Sequence, residues 1–275
     1  MVDLNSYHRK VNGKSATTMI SSRGCPYTCN FCCKDVHGKR ITFRSVPNFL
    51  KEVNQVISQY GIKNFLFYDD VFTFNKNGRL KEITESLKKL GVTYRCNARA
   101  GVNNYREFKM LSDSGCEEIA FGIESGSESQ LKRMGKGTSL AKNHQAIKDA
   151  KRAGIITKAY LISGFPGETE ESINETIKFM KEAYPDKFTV FGFVPLPGSD
   201  TWKNKEKYGI TQISQDWKQY FNIAGQYEGG LTFETKNMDK AELKRLHDLL
   251  VTALMKRGQK GHMEDYYAQL NINNF

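Results

Sequence analysis

The sequence predicts an α/β fold, a partial (β/α)6 TIM-like barrel with a C-terminal helical extension, and three observations carry that prediction. After the first forty residues, short β-rich apolar runs alternate with longer segments of helical period, the pattern of successive βα units around a parallel sheet. Glycines at 61, 91, 115 and 154 each follow a helical segment, where a helix end needs a residue that accepts left-handed dihedrals. Six units are too few to close an eight-unit barrel, so the sheet is expected to stay open, with its active site at the C-terminal strand ends.

In chain order, strands are expected at residues 17–21, 64–68, 93–96, 118–121, 158–162 and 188–193. Between them Val46, Leu50, Val53, Ile57 and Tyr60 recur at three- and four-residue steps, as do Leu80, Ile83, Leu87 and Leu90, and such stripes face a core. Further helices are read at 105–114, 140–153 and 170–183, the last opening after Thr169 as N-cap. From about residue 222 the alternation is lost, although Leu243, Leu246, Leu250 and Leu254 mark one last amphipathic helix. The division expected is a core of residues 1–221, with a lead-in over 1–15, and an extension of 222–275 packed on it.

A chain of 275 residues buries one substantial core. No run of about 18 apolar residues occurs, and Met1 to His8 lacks the apolar stretch of a signal peptide, so a soluble, cytoplasmic protein without a membrane partner is expected. Of six cysteines, three crowd one short loop, which favours metal binding over disulfides. The net charge of +11 is spread over most helices rather than gathered in blocks, as solvated helix faces require; it leaves a nucleic-acid partner open.

The chemistry concentrates in Arg23-Gly24-Cys25-Pro26-Tyr27-Thr28-Cys29-Asn30-Phe31-Cys32, a C-x3-C-x2-C loop directly after the first strand. A 4Fe–4S cluster usually takes four thiolates, so a loop offering three leaves one iron open. Zinc is the competing reading, with Cys25, Cys29 and Cys32 completed by Cys33 or His37. Against it, zinc knuckles pair C-x2-C with a second distant pair, whereas Cys96 and Cys116 stand alone in or beside strands and read as small buried residues. Cys33 reads as a bystander and His37 as an exposed loop histidine.

Other strand ends add acids and glycines. Asp69 and Asp70 follow the second strand, and adjacent carboxylates repel unless a cation lies between them; a cap or surface turn is the alternative. Glu124, in Phe121-Gly122-Ile123-Glu124-Ser125-Gly126, is flanked by glycines that let a ligand approach, or else forms a brace to Arg99, which ends strand three. Ile162 leads into Gly164-Phe165-Pro166-Gly167, a rigid turn feeding a helix, where Glu168 either caps that helix or binds a ligand. Pro195 to Ser199 makes a similar turn after strand six. Tyr208, Trp217, Tyr220 and Phe221 fall in the loop-rich stretch 202–230, where packing over the barrel is favoured over base stacking, and the substrate is unread.

These motifs resemble the radical S-adenosylmethionine superfamily, whose C-x3-C-x-aromatic-C loop is matched with Phe31 at the aromatic position. From about Ser15 to Thr235 their order is similar to the catalytic half of the cobalamin-binding branch. The resemblance implies a 4Fe–4S cluster on Cys25, Cys29 and Cys32, S-adenosylmethionine chelated by the open iron, and reductive cleavage to a 5′-deoxyadenosyl radical that abstracts hydrogen from an unidentified substrate. It implies a one-electron donor such as flavodoxin or ferredoxin. It also implies that Asp69 or Asp70 accepts from the cofactor's amino group, that Glu124 meets the ribose or amino group, that Arg99 pairs with the carboxylate, and that Phe31 and Ile162 line the cofactor site. That branch usually carries an N-terminal cobalamin domain, and only 24 residues precede Cys25, which puts cobalamin in doubt and favours direct hydrogen abstraction. Methyl or methylthio transfer to a nucleotide, tRNA or small molecule is the alternative, and a zinc-stabilised nucleic-acid-binding module the second.

Overall fold

The computed structural model describes residue 4 and residues 10–256 other than 12, 34, 221–231 and 237. The chain opens with β1 (Lys10–Val11), β2 (Lys14–Met19), β3 (Ser22–Arg23) and β4 (Thr42–Phe43). Five helix-to-strand steps then run α1 (Val46–Tyr60), β5 (Asn64–Phe67), α2 (Arg79–Leu90), β6 (Thr93–Ala98), α3 (Tyr105–Asp113), β7 (Cys116–Glu124), α4 (Glu128–Arg133), α5 (Leu140–Arg152), β8 (Ile156–Ser163), α6 (Glu170–Ala183) and β9 (Lys187–Gly192). The C-terminal part adds α7 (Asp200–Lys203), β10 (Ile210–Ile213), β11 (Phe233–Thr235) and α8 (Lys240–Met255).

Seven strands form one sheet in the order β1-β2-β5-β6-β7-β8-β9, curled as a half-barrel. Only the β1–β2 pairing is antiparallel; the other five are parallel. β5, β7, β8 and β9 are near-continuous buried runs, as parallel strands covered by helices on one face and barrel interior on the other tend to be. The registers Met19↔Phe67, Phe67↔Cys96, Ala98↔Phe121 and Ser163↔Gly192 bring the strand ends onto one rim.

Local chemistry explains the elements. Ser45 caps α1 through its side chain, Pro47 lies in the first turn, and Gly61 ends the helix at φ 65°, the left-handed C-terminal solution. Thr169 caps α6 reciprocally with Ser172, as a capping box does. Phe49, Val53 and Val56 of α1 and Leu80, Ile83 and Leu87 of α2 are buried. The six expected strands and the expected helices all form; β1, the β3–β4 ribbon, α4, α7 and the β10–β11 pair had no periodic signal long enough to read.

In α8 the four leucines named from the sequence are buried in the same apolar cluster as the sheet. Ser163 Oγ at the end of β8 lies 2.7 Å from His247 Nδ1 of that helix. The boundary expected at 221/222 and most of the lead-in lie outside the described residues. Among the described residues no helix is long and apolar enough to cross a membrane.

Candidate active site

The cysteine loop leaves and returns through a narrow neck. β3 and β4 pair antiparallel, Ser22 with Phe43 and Arg23 with Thr42, so the intervening residues project as one loop from the rim. At the neck Gly24 has φ 90°, and a Cβ there would stand 2.3 Å from the Arg40 carbonyl oxygen; only glycine meets both conditions.

The two acids after β5 hold this neck from below. Asp69, fully buried, accepts from the Ser21 N–H (3.0 Å), the Ser21 hydroxyl (2.8 Å) and the Ser22 hydroxyl (2.5 Å). Asp70 Oδ2 accepts from the Gly24 N–H at 3.1 Å, and its side chain is exposed. Asp69 thus braces the polypeptide, and Asp70 is the more exposed of the two acids.

Within the loop Cys29 is buried, while Cys25, Cys32 and Cys33 are half-buried. Asn30 anchors the loop across the barrel: its N–H donates to the Met134 carbonyl at 2.8 Å and its side-chain amide to the Arg133 carbonyl at 2.8 Å. These are carbonyls left without helical partners at the end of α4. Its own carbonyl accepts from the Thr201 N–H at 3.1 Å. The Cys33 sulfur packs beside Gly198 and Asp35, and His37 is exposed. Cys96 and Cys116 do not stand alone: on neighbouring strands their sulfurs are 3.9 Å apart. Burial pushes the Cys96 thiol well up, the behaviour of an inert core cysteine.

No three His, Cys, Asp or Glu among the described residues converge closely enough to hold a single metal ion, which a tetrahedral zinc site requires. A 4Fe–4S cluster sets each thiolate on a different iron, so three sulfurs spread along one loop suit a cluster where they do not suit one ion.

The brace between Arg99 and Glu124, the alternative reading of both residues, does not form. Arg99 Nη1 points at the Cys29 sulfur, 3.7 Å away, and the guanidinium stacks on the Tyr27 ring at 3.7 Å. Its Nη2 is buried without a hydrogen-bond partner. Glu124 ends β7 at φ 63°, beside a register shift in the β7–β8 ladder, and its Oε1 accepts from Lys136 Nζ at 2.5 Å. A left-handed, non-glycine residue at a bulge is a place where a fold holds strain for function. A Cβ on Gly122 would lie 2.5 Å from Glu124 Oε1 and 2.8 Å from Lys136 Nζ, so the bare strand makes room for the pair. Sequence reasoning missed Lys136; its flanks, Gly135 and Gly137, both at φ 62°, were the available signal.

Phe31, Glu124, Ile162, Phe193 and Tyr220 line a cavity of about 340 Å³ at the ends of β7, β8 and β9, with Lys136 Nζ 5.9 Å from the Phe31 ring. The structure thus brings together three residues expected to share a site, Phe31, Glu124 and Ile162. Beneath the Gly164–Gly167 turn Glu168 neither caps α6 nor faces the cavity: its Oε2 accepts from the Gly164 N–H at 2.6 Å, and burial pushes its carboxyl up to about 8. Of the late aromatics, Tyr208 packs in the core against Phe165 and Trp217 stacks on Trp202; Phe221 lies outside the described residues.

Comparison with known proteins gives the family and the fold. An uncharacterized methyltransferase of Pyrococcus horikoshii is 35% identical over 222 residues, 78% of this chain and 47% of its own. The anaerobic magnesium-protoporphyrin IX monomethyl ester cyclase of Rubrivivax gelatinosus is 28% identical over 66% of this chain and 33% of its own. The chain therefore spans about half, or less, of the curated relatives it matches. Among solved structures, the radical S-adenosylmethionine methyltransferase TsrM from Kitasatospora setae, with cobalamin and a [4Fe–4S] cluster bound, superposes with a TM-score of 0.69 at 14% identity, covering 92% of this chain and 52% of that one; the likeness is one of fold. The profile of the Radical SAM superfamily matches residues 19–180, and with more than half of its length so matched, the chain belongs to that superfamily.

Proposed function

We infer that Cys25, Cys29 and Cys32 carry the 4Fe–4S cluster that the superfamily uses with S-adenosylmethionine, and that this enzyme abstracts hydrogen from its substrate. When bound, the cluster would supply an open iron to chelate S-adenosylmethionine and the electron that cleaves it to a 5′-deoxyadenosyl radical. The single observation that carries the reading is the cysteine loop held at the strand-end rim, with one buried guanidinium on Cys29 and a cofactor-sized cavity beside Phe31.

The chain's own residues then have distinct tasks. The Asp69–Ser21–Ser22 and Asp70–Gly24 contacts fix where the loop leaves the sheet, and Asn30 fixes its far side on α4. Glu124, locked by Lys136, presents a carboxylate to the ribose or amino group of the cofactor, while Asp70 is the second acceptor for that amino group. Phe31 and Ile162 provide apolar walls that exclude water and take the adenine. Residues 1–221 form this core and 222–275 an extension packed on it, a division supported by the burial of the α8 leucines in the core. Six free cysteines support a reducing, cytoplasmic setting, where a flavodoxin- or ferredoxin-type donor would supply the electron.

Anaerobic reconstitution tests the reading. The reduced wild-type protein should release 5′-deoxyadenosine from S-adenosylmethionine; absence of the nucleoside from an iron-loaded sample would overturn it. Cys29→Ala should lose essentially all cluster iron and sulfide, and Cys33→Ala should keep it; equal losses in both would contradict the ligand assignment. Methyl transfer is a second reading, favoured by the names of the relatives, and S-adenosylhomocysteine appearing beside 5′-deoxyadenosine would select it.

A further inference from the structure

We propose that Arg99 is a positioning residue for the cluster, a built-in counter-charge on Cys29 that raises the cluster's reduction potential; the inference rests on the ligand assignment above. Three observations converge on it. Arg99 is 6% exposed, and a buried cation requires a compensating anion. No carboxylate among the described residues forms an ion pair with it, since Glu124 is taken by Lys136. Of its two terminal nitrogens, Nη1 lies 3.7 Å from the Cys29 sulfur, and Nη2 is buried with no hydrogen-bond partner among the described residues.

The mount is rigid. The guanidinium lies over the Tyr27 ring, inside the cysteine loop itself, and Gly137, where a Cβ would stand 3.6 Å from Nη2, bounds the other side. The long flexible stem of arginine is thereby held so that its fork faces sulfur rather than solvent. A thiolate-ligated cluster is anionic and becomes more so on accepting an electron. A fixed cation a few ångström from one ligand sulfur therefore stabilises the reduced form more than the oxidised form.

The test uses wild type, Arg99→Lys and Arg99→Met, each reconstituted anaerobically without S-adenosylmethionine. Iron and sulfide content and the midpoint potential, followed by EPR-monitored redox titration, are the readouts. R99M should shift the reduction equilibrium against the reduced cluster about tenfold, about 59 mV lower for a one-electron couple, while R99K recovers most of that shift. A midpoint for R99M equal to wild type overturns the proposal, whatever happens to turnover. If R99M takes up no cluster while R99K does, the need for charge is upheld; loss in both overturns a role based on charge. S-adenosylmethionine titrated afterwards into the same samples and bound more weakly by R99M, with an unchanged midpoint, would move Arg99 to the cofactor's carboxylate and also overturns it. Failure of wild type itself to hold iron would instead remove the ligand assignment, a separate outcome.

Discussion

Two buried cations flank the cysteine loop, and the protein compensates them differently. Lys136 has its anion in the chain, Glu124 Oε1 at 2.5 Å, with both side chains under one-tenth exposed. Arg99 has a sulfur and an aromatic ring but, among the described residues, no carboxylate. One side of the loop is electrostatically complete without a cofactor and the other is not. The polypeptide has therefore preorganised the Glu124 side as a fixed wall, and has left the Arg99 side to be completed by whatever the cysteines bind.

Cluster-free protein exposes this difference most strongly. Replacing Lys136 with Met strands a buried carboxylate and should destabilise folding by about 3–5 kcal/mol. Arg99→Met removes a cation that has no carboxylate to strand, and should stay within ~1 kcal/mol of wild type, the scale of the lost ring contact. Urea midpoints of the two apo variants give the comparison directly. The K136M/E124Q double variant should regain most of the loss, because neither charge then remains. Equal destabilisation by K136M and R99M would erase the distinction.

Another buried ionisable group, Glu168, is handled in neither way: its burial is met by holding the proton. Its carboxyl is pushed up from 4.5 to about 8 by desolvation, opposed by the Gly164 N–H. Between those values the folded state binds a proton that the unfolded state does not, so stability falls as pH rises through that window. Glu168→Gln retains an oxygen for the Gly164 N–H and cannot ionise. It should flatten the decline and gain on the order of a few kcal/mol over wild type at the alkaline end, at ~1.4 kcal/mol per pKa unit. Thermal melting of both proteins from about pH 5 to about pH 9 is the measurement. Parallel curves would show that Glu168 is charged in the fold rather than a neutral acid.

How much of this was legible in the sequence depends on the range of the interaction. The alternation of strands and helices located the parallel strands and their helices, with some strand ends displaced, as at β2 and β7, because periodicity is a local signal: α6 begins and ends where Thr169 and its apolar stripe place it. The cysteine spacing and the carboxylate at 124 were legible for the same reason. Partners were not. Arg99 and Glu124 look complementary in sequence, yet Lys136, twelve residues beyond Glu124, takes the carboxylate because the β7 bulge turns it that way. Asp69 and Asp70 look like ligands of a cation, yet they answer donors 46 to 48 residues earlier. Side-chain allegiance is decided by the three-dimensional approach of strand ends, which no spacing rule encodes.

The smallest expected effect tests how tightly the completed side is built. A methyl group at Gly122 meets the tips of Glu124 and Lys136, not backbone, so the pair can shift at modest loss, whereas Gly24 faces the Arg40 carbonyl and has no such relief. Gly122→Ala should therefore destabilise the apo protein by only about 1 kcal/mol. The diagnostic is where that loss goes in the K136M/E124Q background, which has no ion pair to displace. If the methyl acts through the pair, its effect shrinks toward zero there, a coupling measurable by a double-mutant cycle. An undiminished loss would mean that the strand itself rejects the side chain, and that Gly122 serves the β7 bulge rather than the carboxylate it turns toward the cavity.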